Sequence, residues 1–114
     1  MKDSSLTLRL VILVFTTLRL IGAQPSTRTV EGVVMDQHSH PLAHAAVQIE
    51  NEQTLMIRSY ITQADGKYHF AELNGDIDYE LSAEYHGLRS DVRKLSKFDS
   101  REEPKLDLRI RFGK

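Results

Sequence analysis

The sequence predicts an all-β fold, a seven-stranded antiparallel Greek-key β-sandwich, on three observations. Apolar and polar residues alternate in short runs, most regularly in Leu106-Asp107-Leu108-Arg109-Ile110-Arg111-Phe112, which is the period of a strand with one buried face. Turn residues punctuate those runs at intervals of about 8–12 residues, the spacing of a sandwich. No stretch carries a helical period, apart from room for one short turn between Asp99 and Lys105.

The first residues follow a different logic. Lys2 and Arg9 precede the apolar run Leu10 to Phe15, and Ile21-Gly22-Ala23 supplies small residues before Gln24. That is the layout of a signal peptide cleaved after Ala23. The apolar run between Arg9 and Arg19 is shorter than the about 20 residues a membrane helix needs. The expected organisation is therefore a signal peptide over 1–23, a flexible leader over 24–28 and one domain over 29–114. No stable membrane span is expected after cleavage. Export leaves the periplasm or the exterior as the location, on the assumption of a bacterial source.

The strands are expected in the following order. Val30, Gly32 and Val34 alternate with polar neighbours in a first strand, where an internal glycine marks a bulge or the close approach of another backbone. Asp36-Gln37-His38-Ser39-His40-Pro41 reads as a polar turn, and Ala46 to Glu50 as the second strand. Leu55 to Thr62 forms the third and enters a hairpin at Asp65-Gly66, a dipeptide suited to positive φ. Tyr68 and Phe70 then alternate with Lys67 and His69, so the fourth strand, Tyr68 to Ala71, sends two aromatics into the core. A turn at Leu73 to Asp76 leads to a fifth strand, Tyr79 to Ala83. The sixth runs from Leu88 to Leu95, Ser96 to Pro104 is a charged loop, and Leu106 to Phe112 is the last strand.

Composition narrows the function classes. The 114 residues contain no cysteine, so neither a disulfide framework nor a lipoprotein anchor is available. The net charge of −1 hides an asymmetry: Gln24 to Tyr85 holds three basic residues (Arg28, Arg58, Lys67) against ten acidic, and His86 to Lys114 holds nine basic against five acidic. Acidic early strands pairing with basic late ones account for this without a nucleic-acid face. Arg89, Arg93, Lys94 and Lys97 have only Tyr85 and Phe98 near them, short of a stacking platform, so no nucleic-acid partner is expected. Tyr60 and Tyr85 are the aromatic rings expected at the surface.

The order of these motifs resembles the carboxypeptidase regulatory-like domain. Its opening V-x-G-x-V-x-D is matched by Val30, Gly32, Val34 and Asp36, and its P-L-x-x-A-x-V by Pro41, Leu42, Ala45 and Val47. The hairpin pattern is matched by Thr62, Asp65, Gly66, Tyr68, Phe70 and Leu73, and the following Y-x-L-x-A by Tyr79, Leu81 and Ala83. The resemblance implies a prealbumin-like, Ig-like sandwich related to collagen-adhesin B-type repeats. It gives Asp36, Pro41, Asp65 and Gly66 structural roles in turns. The family has glycine where this chain has Ser39 and His44, so the first turn is expected to take a different shape here. Family members sit beside peptidases, outer-membrane transporters and surface proteins, which implies a protein partner of that kind in the envelope.

Candidate chemistry concentrates in His38, His40 and His44. A His-x-His pair can present two imidazoles to zinc or copper, with His44 looping round as a third ligand. Pro41 interrupts that spacing, and the simpler reading is a solvated turn. Neither a nucleophile elbow nor an H-E-x-x-H helix is present, and Glu102-Glu103 are neighbours that point apart. The related transthyretin-like hydrolases end in tyrosine-arginine-glycine-serine, whereas this chain ends Arg111-Phe112-Gly113-Lys114. An adhesin isopeptide lacks both partners, since no lysine lies between Gln24 and Gly66 and no asparagine follows Asn74. The expected function is a non-catalytic accessory module for protein docking or structural contact, with no catalytic residue and no cofactor. The alternative is a small-ligand or metal carrier using the His38–His44 turn.

Overall fold

Eight strands form within residues 26–113, the part of the chain that the computed structural model describes. They are β1 (Thr27–Asp36), β2 (Ala46–Asn51), β3 (Ile57–Ile61), β4 (Lys67–Asn74), β5 (Tyr79–Tyr85), β6 (Leu88–Arg89), β7 (Arg93–Leu95) and β8 (Leu108–Ile110). The expected signal peptide lies outside the described residues. Among those described, no helix is long and apolar enough to cross a membrane.

Two sheets pack face to face as a β-sandwich. The smaller has the order β4-β1-β8; the larger has the order β3-β2-β5, with β6 and β7 both pairing along the outer side of β5. Alternation decides what is buried. Val30 and Val34 of β1, Val47 and Ile49 of β2, Tyr68 and Phe70 of β4, Leu81 and Ala83 of β5, and Leu108 and Ile110 of β8 point into one continuous core. Burying such side chains is worth roughly 1.5–3 kcal/mol each, and this burial holds together a domain without disulfides.

Four details differ from the sequence expectation, each for a physical reason. First, β1 begins at Thr27, inside the expected leader, because Arg28 is buried and held by distant carbonyls. Second, β4 continues through Leu73-Asn74, expected as a turn. A bulge keeps these residues in register with Thr27 and Arg28, with Glu72 at φ 59° as the extra residue. Third, the sixth strand is split into β6 and β7. At the break, the Ser90 N–H donates to the Ala83 carbonyl and the Ser90 hydroxyl accepts from the Ala83 N–H, so a side chain replaces one ladder bond.

The fourth difference concerns the end of the chain. β8 pairs with β1 in parallel, Val34 opposite Leu108. The β5–β7 register places Leu95 beside Tyr79, so the chain leaves the larger sheet at the end where β1 begins. It therefore re-enters the smaller sheet running in the same direction as β1. The regular part of β8 is short because the ladder is interrupted at Gly32. A Cβ there would overlap the Leu106 carbonyl oxygen and come within 2.8 Å of the Tyr68 ring, which is the close backbone approach the glycine predicted. The Tyr68 hydroxyl donates to that carbonyl, and the Asp107 carboxylate accepts from the Val33 N–H at 3.0 Å.

The charge asymmetry resolves within the larger sheet. Glu80 lies opposite Lys94 and Glu84 opposite Arg89, and the Lys94 ammonium sits 3.4 Å from Glu52.

Candidate functional site

The turn after β1 is organised by one carboxylate. Asp36 Oδ1 accepts the N–H groups of His38 and His40 at 2.8 and 2.9 Å, and its Oδ2 lies 3.2 Å from His40 Nδ1. The His40 N–H, offset in part by desolvation, then the His38 N–H and the nearby His40 ring hold the Asp36 carboxyl below its ordinary value of 3.8. Ser39 takes φ 66° and His44 φ 64°. The first turn therefore keeps the left-handed residues that glycine would supply in the family, contrary to the expected change of shape. Ser39 is held there by its N–H donating to the Asp36 carbonyl and by its hydroxyl accepting from Arg109 at 3.3 Å.

The same turn clasps the end of the chain. The Gln37 side-chain amide donates to the Phe112 carbonyl and accepts from the Phe112 N–H, at 3.0 and 3.1 Å. Arg109 donates to the Asp36 carbonyl at 3.0 Å. In effect a side chain and a guanidinium extend β8 past its last ladder bond.

The three candidate ligands are not brought together. The His38 and His40 rings lie 6.1 Å apart and tilted. His44 stands beyond Pro41, its N–H donating to the Thr62 carbonyl. The loop after β5 brings His86 to this same end of the sandwich, stacked on Tyr85. Even so, no group of three histidine, aspartate or glutamate side chains among the described residues is placed to hold a metal ion.

Asp65 and Gly66 complete this end as turn residues. The Asp65 carboxylate accepts the Lys67 N–H at 3.1 Å, and the Gly66 carbonyl accepts the Val34 N–H at 2.8 Å. Gly66 has φ 70°, and a Cβ there would meet the Val34 oxygen at 2.7 Å and the Pro41 Cβ at 3.0 Å. Pro41 itself bridges to Met35. Thr62, fully buried, donates to the Leu42 carbonyl at 2.6 Å and accepts from the Ala45 N–H at 3.0 Å. The four predicted turn residues, Asp36, Pro41, Asp65 and Gly66, thus lie in adjoining turns at one end.

The opposite end is locked by Arg28, only 7% exposed. Its guanidinium donates to the carbonyls of Ser96, Asp99 and Ile77 at 2.9, 3.1 and 3.2 Å. One buried cation thereby ties β1 to two loops.

The surface that the alternation did not reveal is β3. Leu55, Met56, Ile57 and Ile61 are 67, 71, 55 and 57% exposed. β3 is the outermost strand of the larger sheet. Its register, Glu50 opposite Ile57 and Ala46 opposite Ile61, turns both isoleucines to the outer face and leaves Arg58 and Tyr60 on the inner. Leu55 also sits at φ 64°, a conformation that a leucine rarely adopts. The available signal was Leu55-Met56-Ile57: a strand cannot bury three successive side chains on one face. Tyr60 and Tyr85, expected to be exposed, are half-buried against the core, and among the described residues the exposed phenylalanine or tyrosine is Phe98.

Two sheets packed around one core define a β-sandwich domain. The model of the carboxypeptidase regulatory-like domain matches residues 29–111, and the chain belongs to that family. No curated protein matches it in sequence. Among solved structures it is similar to catechol 1,2-dioxygenase from Acinetobacter sp. ADP1, with 14% identity and a TM-score of 0.57 over 80% of this chain and 54% of that one. The 3-chlorocatechol 1,2-dioxygenase from Rhodococcus opacus 1CP gives 10% identity and a TM-score of 0.57, over 80% of this chain and 61% of that one. The dioxygenase domain of a carbohydrate-binding fusion from Streptomyces sp. SirexAA-E gives 13% and 0.56, over 82% of this chain and 84% of that one. At these identities the likeness is one of fold. The chain spans about half the length of the Acinetobacter enzyme.

Proposed function

We propose that this domain is a non-catalytic docking module of the cell envelope, exported by its N-terminal segment, that binds protein through the free edge of β3. The observation that carries this reading is the exposure of Leu55, Met56, Ile57 and Ile61 around an outermost strand. An uncovered, largely apolar sheet edge costs solubility and invites strand addition, and the left-handed Leu55 adds local strain at the same place. Both features are accounted for by a partner that covers them. Peptidases, outer-membrane transporters and surface proteins are the partner classes that the family context suggests. A photo-cross-linking residue at Ser59, in cells producing the full chain, is expected to form protein adducts, while the same residue at Asp76 forms none. Equal labelling at both positions, or none at either, would overturn the docking reading.

The alternative, a metal carrier using His38, His40 and His44, is weaker: His40 is engaged with Asp36, and His44 stands apart.

A further inference from the structure

We infer that the β3 edge is built to pair with a second copy of the same chain, across a two-fold axis through Ser59. This names the partner for the docking surface proposed above and rests on that reading.

The backbone determines which groups are on offer. In an antiparallel pair, facing residues alternate between bonded and non-bonded pairs. The Asn51 N–H donates to the Met56 carbonyl, and the Thr62 N–H donates to the Ala45 carbonyl. Stepping inward by two from both ends makes Ile49–Arg58 and Val47–Tyr60 the bonded pairs of the β2–β3 register. The N–H and C=O groups of Ile57, Ser59 and Ile61 therefore point away from β2, along the free edge. A second β3, antiparallel and centred on Ser59, places Ile57 opposite Ile61 of its copy and Ser59 opposite Ser59. Every outward group of the three residues then finds a partner.

The side chains select the same register. Ile57-Arg58-Ser59-Tyr60-Ile61 is symmetric about Ser59 in its apolar spacing. On the outer face the two-fold gathers four isoleucines around two serines. On the inner face it sets Arg58, whose guanidinium lies over the Phe70 ring and donates to the Ala71 carbonyl, opposite Tyr60 of the other copy, with no like charges facing each other. A register centred on Arg58 would oppose two guanidinium groups, which is destabilising. One centred on Tyr60 would face Ile61 with Ser59. An unrelated partner strand could use the backbone groups, but it would leave this symmetry unexplained.

The other sheet edges bear devices that discourage pairing. β4 carries Lys67 and the Glu72 bulge, the edge beside β5 is broken at Ser90–Val92, and β8 is three residues long and followed by Arg111. β3 has no proline, no bulge and a single charge. Protection everywhere except at one self-complementary strand marks that strand as an isologous interface.

The test uses the absence of cysteine. Paired residues on the axis would have Cα atoms about 5.5 Å apart, inside the range that a disulfide spans. The full chain, in the form that expressing cells process it to, is expected to sediment as a dimer whose dissociation depends on concentration. Ser59→Cys is expected to oxidise to a covalent dimer at least tenfold faster than Gln53→Cys, an exposed position off the axis. Ile57→Arg and Ile61→Arg, both at exposed positions, should give a folded monomer by circular dichroism and sedimentation. A wild-type chain that stays monomeric up to hundreds of micromolar, with Ser59→Cys no faster than the control, overturns the inference. In that event, Ser59 photo-adducts with another protein would leave the docking reading standing, and their absence would remove both.

Discussion

The Tyr68 hydroxyl donates its hydrogen bond to the Leu106 carbonyl directly over the point where Gly32 lacks a side chain. Three residues distant in sequence thereby substitute for one missing rung between the first and last strands. Tyr68→Phe leaves that buried carbonyl unpartnered and is expected to cost about 1–3 kcal/mol, a loss of several degrees in Tm for a domain of this size. Gly32→Ala is expected to cost more than Tyr68→Phe, because its methyl must displace backbone as well as the ring. Urea denaturation of both variants gives the order, and the reverse order would refute this account of the gap.

The same phenol gives the domain an alkaline limit. Burial first, and the Asp107 carboxylate second, push the Tyr68 hydroxyl well above its ordinary value of 10.0. A group whose folded value is raised contributes stability that is complete below the unfolded value and is lost as pH rises towards the folded one. Stability is therefore expected to fall above about pH 10, and to fall less steeply in Tyr68→Phe. Parallel stability curves for the two proteins from pH 9 to 11.5 would count against this.

Left-handed positions divide into those that glycine fills and those that hold a side chain under strain. Gly66→Val places a β-branched side chain at φ 70° against the Val34 carbonyl and Pro41. It is expected to destabilise by about 3 kcal/mol or more, from conformation and overlap together. Ser39→Gly relieves a left-handed non-glycine residue at the cost of chain entropy and of the long, exposed hydrogen bond from Arg109, and should stabilise by up to about 1 kcal/mol. Thermal melts distinguish the two signs.

Arg28→Met retains much of the buried stem but removes the donors to Ser96, Asp99 and Ile77. A loss of about 2–3 kcal/mol is expected. Amide exchange should rise first in the segment from Ser96 to Arg101, which this side chain holds. Arg28→Lys, with one compact ammonium, is expected to restore less than half of the loss.

In the histidine turn, the largest influence on Asp36 is the backbone N–H of His40, not its ring. His40→Ala is therefore expected to leave Asp36 titrating below 3.8, with the contribution of this carboxylate to stability present above its unfolded value and lost as pH falls through the folded one. Carboxyl carbon shifts followed by NMR from pH 2 to 6 measure this directly. A return of Asp36 to its ordinary value in that variant would make the imidazole the dominant group.

Much of the fold was legible because its rules are local. Tyr68, Phe70, Leu81 and Leu108 announce their faces by alternation, and Asp65-Gly66 announces its turn by conformational demand. What stayed hidden depends on distant segments. Arg28 looks like a leader residue until the carbonyls that receive it, from 49 to 71 positions away, are assembled. Ile57 and Ile61 look like core until pairing with Ala46–Asn51 fixes them on the outer face. The candidate site followed the same division. The aspartate-capped turns at Asp36 and Asp65 were readable, whereas the separation of His44 from His38 and His40 depends on how Pro41 is pinned beside Met35 and Gly66.

The parallel pairing of β1 with β8 has a temporal consequence. Val33 and Asp107 are 74 residues apart, and Pro104, Leu106, Leu108 and Ile110, all buried, come from the segment that follows β7. A polypeptide emerging from its N-terminus, whether from a ribosome or through a translocation channel, exposes the long flank of β1 until Ile110 has appeared. Folding of this domain accordingly waits for β8, with a large loop to close. A nascent chain stalled before Leu106 would be a substrate for chaperones and proteases rather than a slightly shortened domain.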